Sequence, residues 1–218
     1  VAAMRGRDLG RPTPQGDSCP VADAVRQVRT QAPLRQRLKE RGEAVARAQQ
    51  HLEAGLARQD GAGIGAALTE ADPQGAGRSC LNWPAHGETL TLWVGRLWEA
   101  DDPYPLLDSF WQADPLPGAG LWLPAAVLHL RDPQHFAPWG DVVRRGYATL
   151  DDALDAAGPP AERYRLFNEG VAWLRNRHHI HPLETAEVLA ALAPDANRRE
   201  PNADFGGFCP DTFAFLRE

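Results

Sequence analysis

Leu90, Trp93, Val94, Leu97 and Trp98 stand at positions i, i+3, i+4, i+7 and i+8 of one stretch. Only an α-helix gathers that spacing onto a single face. Side chains of this size must be removed from water by neighbouring elements, so a chain built on such a stripe folds as packed helices. The same period recurs along the chain. Val21, Ala24, Val25 and Val28 follow Pro20, with Asp17 or Ser18 placed to cap a first helix. Leu34, Leu38, Val45, Leu52 and Leu56 stay near one face of a longer helix from about Leu34 to Arg58, despite Gly42 and Gly55. Leu106, Leu107, Phe110 and Trp111 mark a short helix, and Leu123, Val127 and Leu130 another that stops before Asp132-Pro133. Thr149 and Asp152 have the spacing of a capping pair for a helix through Ala157, which Gly158-Pro159-Pro160 ends. Tyr164, Phe167, Val171 and Leu174 define the next stripe, and Pro182 opens a helix carrying Leu183, Ala186, Leu189 and Leu192. No segment alternates with period two, and no repeat of solenoid length occurs. The expected fold class is all-α.

Punctuation divides the pattern into regions. Residues 1–16, with Pro12, Pro14 and little apolar periodicity, read as a flexible arm. Residues 17–71 read as a helical hairpin made by the first two helices. Residues 72–87 are rich in Gly, Pro, Ser and Asn and read as a linker. Residues 88–198 read as a multi-helix orthogonal bundle, in which the Leu90–Trp98 stripe meets the Tyr164–Leu174 stripe. Residues 199–218 read as the start of a further domain or a C-terminal tail. No window approaches the roughly 18 consecutive apolar residues of a membrane helix, and Arg5, Arg7 and Asp8 occupy the place of a secretory signal's apolar run. The expected location is the cytoplasm. Cys19, Cys80 and Cys209 never approach C-x-x-C spacing and read as free, buried thiols.

A net charge of −6 conceals an asymmetry. The first fifty residues hold ten basic and five acidic side chains, so the rest of the chain is strongly acidic. Phosphate contacts need cations, which places any nucleic-acid interface on Arg26, Arg29, Arg35, Arg37 and Arg41. Trp83, Trp122 and Trp139 lie at or near loops, and of these Trp83 and Trp139 are the candidates to stack on an unpaired base. The competing reading is a solvated arginine face whose members pair with nearby Asp and Glu. Trp93, Trp98, Trp111 and Trp173 lie on helical stripes and read as core.

The densest chemistry-bearing segment is NRHHIHPLE, with His178, His179, His181 and Glu184. Imidazoles beside a carboxylate can hold a transition metal, so a stand-alone metal-dependent hydrolase or nuclease using His178, His179 and His181 is the alternative function. The segment lacks the aspartate and flanking cysteines of an HNH nuclease, and helix-terminal histidines commonly complement a dipole instead, which is the favoured reading. Lys39, the only lysine, has no carboxylate cluster at nuclease spacing. No G-x-S-x-G elbow occurs, and Gly61-Ala62-Gly63-Ile64-Gly65 follows no expected strand, which argues against acyl transfer and a dinucleotide site. No catalytic residue and no cofactor are assigned.

Two stretches carry a family resemblance. LWLPAAVLHLRDPQHFAPW, a helix followed by a D-P-x-x-F-x-P turn, and ERYRLFNEGVAWLRNRHHIHPLETAEVLAAL resemble a helical module preceding the motor of McrB-like AAA+ proteins. The likeness spans Leu121 to Leu192, about a third of the chain. FGGFCPDTFAFLRE, from Phe205 to Glu218, is similar to the opening of an uncharacterised bacterial domain, F-x-G-F-x-P-(D/E)-T-x-x-F-L-R. The resemblance implies an N-terminal adaptor or recognition region of a restriction or defence ATPase, with a downstream ATPase domain or another protein as partner and DNA or RNA as a contact. Such a motor requires G-x-x-x-x-G-K-[ST], and the only lysine sits in RLKERG, so the motor is expected outside these residues.

Overall fold

The computed structural model describes residues 19–31, 33–71, 83–151 and 158–193. The expected arm, the segment from Phe205, residues 72–82 of the expected linker, Cys80 and Cys209 lie outside them. The described residues form an all-α multi-helix bundle of nine α-helices and no strand. These are α1 Pro20–Gln31, α2 Leu34–Arg58, α3 Gly61–Ala71, α4 Gly87–Glu99, α5 Tyr104–Ala113, α6 Trp122–Arg131, α7 Asp141–Ala148, α8 Pro160–His178 and α9 Thr185–Leu192. No described helix is long and apolar enough to cross a membrane.

α6 is the centre of the packing. Trp122, Leu123, Ala125, Val127, Leu128 and Leu130 are all buried, and a helix apolar nearly all round must be enclosed. It packs on α2, α3 and α4. At its last residue, Arg131 donates from Nη1 to Leu97 O (2.9 Å) and Ala100 O (2.7 Å), closing carbonyls left open at the end of α4. In the turn that follows, the Asp132 carboxylate accepts from the backbone amides of Gln134 (2.9 Å) and His135 (3.2 Å). That geometry sends Phe136, Ala137 and Trp139 back into the core.

The expected hairpin has a different second arm. α2 packs most extensively on α3, through the left-handed turn at Gln59, whereas α1 leaves α2 and packs on α9 and α8. α3, rich in glycine, was not legible as a helix. Its register depends on Gly61, where a Cβ would stand 2.4 Å from Gly87 Cα, so the backbones opening α3 and α4 touch. The region before residue 72 and the region after 87 accordingly share one continuous hydrophobic core. The α4 and α8 stripes belong to that core with α5 between them. Trp93 meets Phe110 edge-on at 5.3 Å, and α5 in turn packs on α8.

Thr149 sits just beyond α7, where its hydroxyl donates to Gly146 O (2.7 Å). The remainder of the helix expected from Thr149 to Ala157 falls on residues 152–157, outside the described set. Cys19 is exposed rather than buried, because it precedes the first turn of α1. Trp111 and Trp173, expected in the core, are each 39% exposed.

Candidate functional site

Arg37 and Arg41 are one helical turn apart on α2 and face α9 together. Arg37 Nη1 donates to Glu187 Oε2 (2.6 Å) and its Nη2 to Val28 O (2.7 Å). Arg41 pairs with Oε1 of the same carboxylate and donates to Leu183 O (2.6 Å). On α1, Arg29 engages Glu184 through Nε (2.9 Å) and Nη2 (3.0 Å), and Nη2 also reaches His179 O (2.7 Å). Glu184 is 0% exposed, and its carboxylate also accepts from the His181 amide at 3.3 Å. The paired carboxylate raises the Arg29 pKa, with hydrogen bonding the largest contribution and burial opposing it.

Three of the five expected phosphate-binding arginines are thus engaged in joining the first two helices to the ninth. Arg35 lies about 200° around α2 from Arg37 at 100° per residue and is exposed. Arg26 has a side chain 72% exposed and pairs with Asp23, three residues earlier on α1. Trp139 is buried, with its ring edge-on to Tyr164 (5.9 Å) and Phe167 (5.0 Å), so no face remains for a base. Trp122 is buried as well. Trp83 opens a 3-10 turn, Trp83–His86; its side chain lies outside the described residues.

The histidines form a capping device. His178 ends α8. His179 follows at φ 53°, a left-handed conformation that histidine tolerates better than branched residues, with its amide bonded to Arg175 O. His181 caps the 3-10 turn Pro182–Glu184, its Nδ1 accepting from the Leu183 amide (3.2 Å) while Glu184 returns to the His181 amide. Burial, reinforced by Arg177 and His179, lowers the His178 pKa. Among the described residues no group of three or more His, Cys, Asp or Glu side chains is arranged to hold a metal ion. His178, His179 and His181 therefore do not converge on the metal centre that the hydrolase alternative requires.

Beneath this turn lies a polar node that sequence reasoning passed over. Arg175 donates from Nε to Thr185 Oγ1 (2.8 Å) and from Nη1 to Pro133 O (3.1 Å) and Gln134 O (2.9 Å), tying α8 to the Asp132–Phe136 turn and to the start of α9. Burial lowers its pKa to about 10, opposed by Tyr164 and Asp132. Nearby, His129 Nδ1 lies 2.8 Å from Phe136 O, and burial, with Arg175 adding to it against that hydrogen bond, lowers its pKa to about 4. Asn168 Oδ1 accepts from the Ala137 amide (2.7 Å), and the Tyr164 hydroxyl donates to Ala137 O (2.7 Å). These polar groups hold helices in place.

What faces solvent is the outer stripe of α8. Its first half carries Glu162, Arg165 and Glu169, with Arg165 near both carboxylates. Its second half carries Ala172, Trp173, Asn176 and Arg177, and the Arg177 guanidinium lies 5.6 Å from the Trp173 ring centroid. The chain matches no protein-family model, no curated protein and no solved structure.

Proposed function

We infer that this chain is a non-catalytic helical adaptor or recognition region of a larger McrB-like restriction or defence ATPase. The observation that carries this reading is the latch of Arg29, Arg37 and Arg41 onto Glu184 and Glu187. Arg29, near the end of α1, meets the residue just before α9, and the two helices pack on each other. The first and last described α-helices are thereby locked together. A rigid body closed in this way can be carried by a larger protein as a unit. The charged groups that would serve chemistry are also engaged in packing, which favours an adaptor over the hydrolase alternative.

The test is ATP turnover. Residues 1–218 alone should hydrolyse no ATP, and the protein extended along the reading frame past Glu218 should hydrolyse it through a G-x-x-x-x-G-K-[ST] loop. Metal-stimulated hydrolysis by residues 1–218, abolished by substituting His179 and His181, would overturn the reading. So would an extension, or a reading frame, without such a loop.

A further inference from the structure

Charge is segregated along the exposed stripe of α8. Its N-terminal half alternates Glu162, Arg165 and Glu169 at helical spacing. Among the described residues its C-terminal half holds no acidic side chain, and Arg177 there has no carboxylate partner. The next residues, His179 and His181, are exposed. Arg29 reaches His179 O from α1, whereas Arg26, three residues earlier, is paired with Asp23. The two acids that follow in sequence are already matched, since Glu184 is buried against Arg29 and Glu187 is shared by Arg37 and Arg41. The negative end of the α8 dipole is softened because the Arg175 carbonyl accepts from the amides of both His179 and Ile180.

Trp173 supplies the second element. An indole 39% exposed on a helix that buries Tyr164, Phe167, Val171 and Leu174 is an aromatic surface that the core does not use. Arg177 rests over that ring, which holds the guanidinium plane while its edge remains available to a phosphate oxygen. An exposed aromatic side chain beside an arginine without a carboxylate partner is a combination by which proteins hold single strands without reading sequence: bases stack, and the backbone meets the charge.

We propose that the C-terminal end of α8, with Trp173, Arg177 and His179, is a docking surface for single-stranded nucleic acid. It rests on the recognition half of the adaptor reading. It also moves the interface away from Arg37 and Arg41 of α2, which are engaged with Glu187, to the place where Arg177 has no carboxylate partner.

The experiment is fluorescence anisotropy of a labelled single-stranded oligonucleotide with the 218-residue chain at low and moderate salt. Wild type should bind, and raising the salt should weaken binding. Trp173→Leu and Arg177→Glu should each weaken binding at least tenfold while thermal melts stay near wild type, because both side chains are exposed. Arg58→Glu, an equal charge change at the far end of α2, should alter Kd by less than twofold. Four results overturn the proposal: no affinity at low salt; equal loss in Arg58→Glu; a duplex bound as tightly as the single strand; or full competition by polyglutamate, which points to an acidic protein partner. None of these bears on ATP turnover of the extended protein, so the two readings fail separately.

Discussion

Replacing Arg29 with alanine separates an arginine that solvates a helix from one that completes a core. Glu184 is fully buried and its carboxylate has three donors, two from Arg29 at 2.9 and 3.0 Å and one from the His181 amide at 3.3 Å. Arg29→Ala removes two of the three and leaves a charged group enclosed with one weak bond. Breaking a buried ion pair from one side costs about 3–5 kcal/mol. The Arg29 side chain is 34% exposed, which lets water reach the pair and discounts that range to about 2–3 kcal/mol.

In urea, with an m-value of about 2 kcal/mol per molar, the midpoint should fall by about 1 M with m unchanged. The loss should persist in high salt, since enclosed pairs are screened far less than exposed ones. Pairing Arg29→Met with Glu184→Leu should recover much of the loss, because removing both partners leaves no orphaned charge. A change below about 0.5 kcal/mol for Arg29→Ala, or additivity of the two single variants, would refute the latch and return Arg29 to the solvated face that charge counting suggested.

Three further outcomes follow from the same geometry. Gly146→Ala sets a Cβ 1.7 Å from Leu189 O and should separate α7 from α9 at a cost of at least about 3 kcal/mol, read as a large drop in Tm, whereas Gly42→Ala meets only Leu183 Cδ1 at 3.8 Å and should be neutral or stabilising by about 0.5–1 kcal/mol. His129 is held near pKa 4 in the fold, so below about pH 6.5 the unfolded chain takes up a proton that the native state refuses. Stability should then fall as pH drops from about 6.5 to 4, by up to about 3 kcal/mol, and His129→Gln should flatten that part of the denaturation profile. Trp93, buried and edge-on to Phe110, should cost about 3–5 kcal/mol on truncation to alanine and the partly buried Trp98 less; thermal melts showing Trp98→Ala as the worse variant contradict the placement of α4.

Seven of the nine α-helices among the described residues were legible because their apolar residues recur every three or four positions. The two that were not share a physical reason. α7 has eight residues and buries only Val143, Gly146 and Tyr147, too short a run for a period to emerge. α3 opens GAGIGAAL, a composition that disfavours an isolated helix, and the contact that requires Gly61 is the backbone of Gly87. An apolar stripe shows which face is covered but not by what. Hence α1 was assigned to α2, its neighbour in sequence, when it packs on α9.

The same limit governs the candidate site. Counting charges along the chain placed a cationic surface on Arg26 to Arg41, yet Arg29 meets Glu184 across 155 residues and Arg37 meets Glu187 across 150. Folding neutralises that excess with acids drawn from the part of the chain that had looked repulsive to phosphate. One signal was available in advance. Arg37 and Arg41 at i, i+4 set two guanidinium groups on one face of α2, a spacing that suits sharing of a single carboxylate, here that of Glu187. Once those pairs form, the surface potential is set by the residues without partners. Arg177 is among them, where α8 ends, in a segment whose histidines suggested metal chemistry, beside a tryptophan that periodicity assigned to the core. Location in sequence and location in the electrostatic field separate in this fold because its latch joins distant segments, and the exposed Trp173–Arg177 pair is what the latch leaves outside.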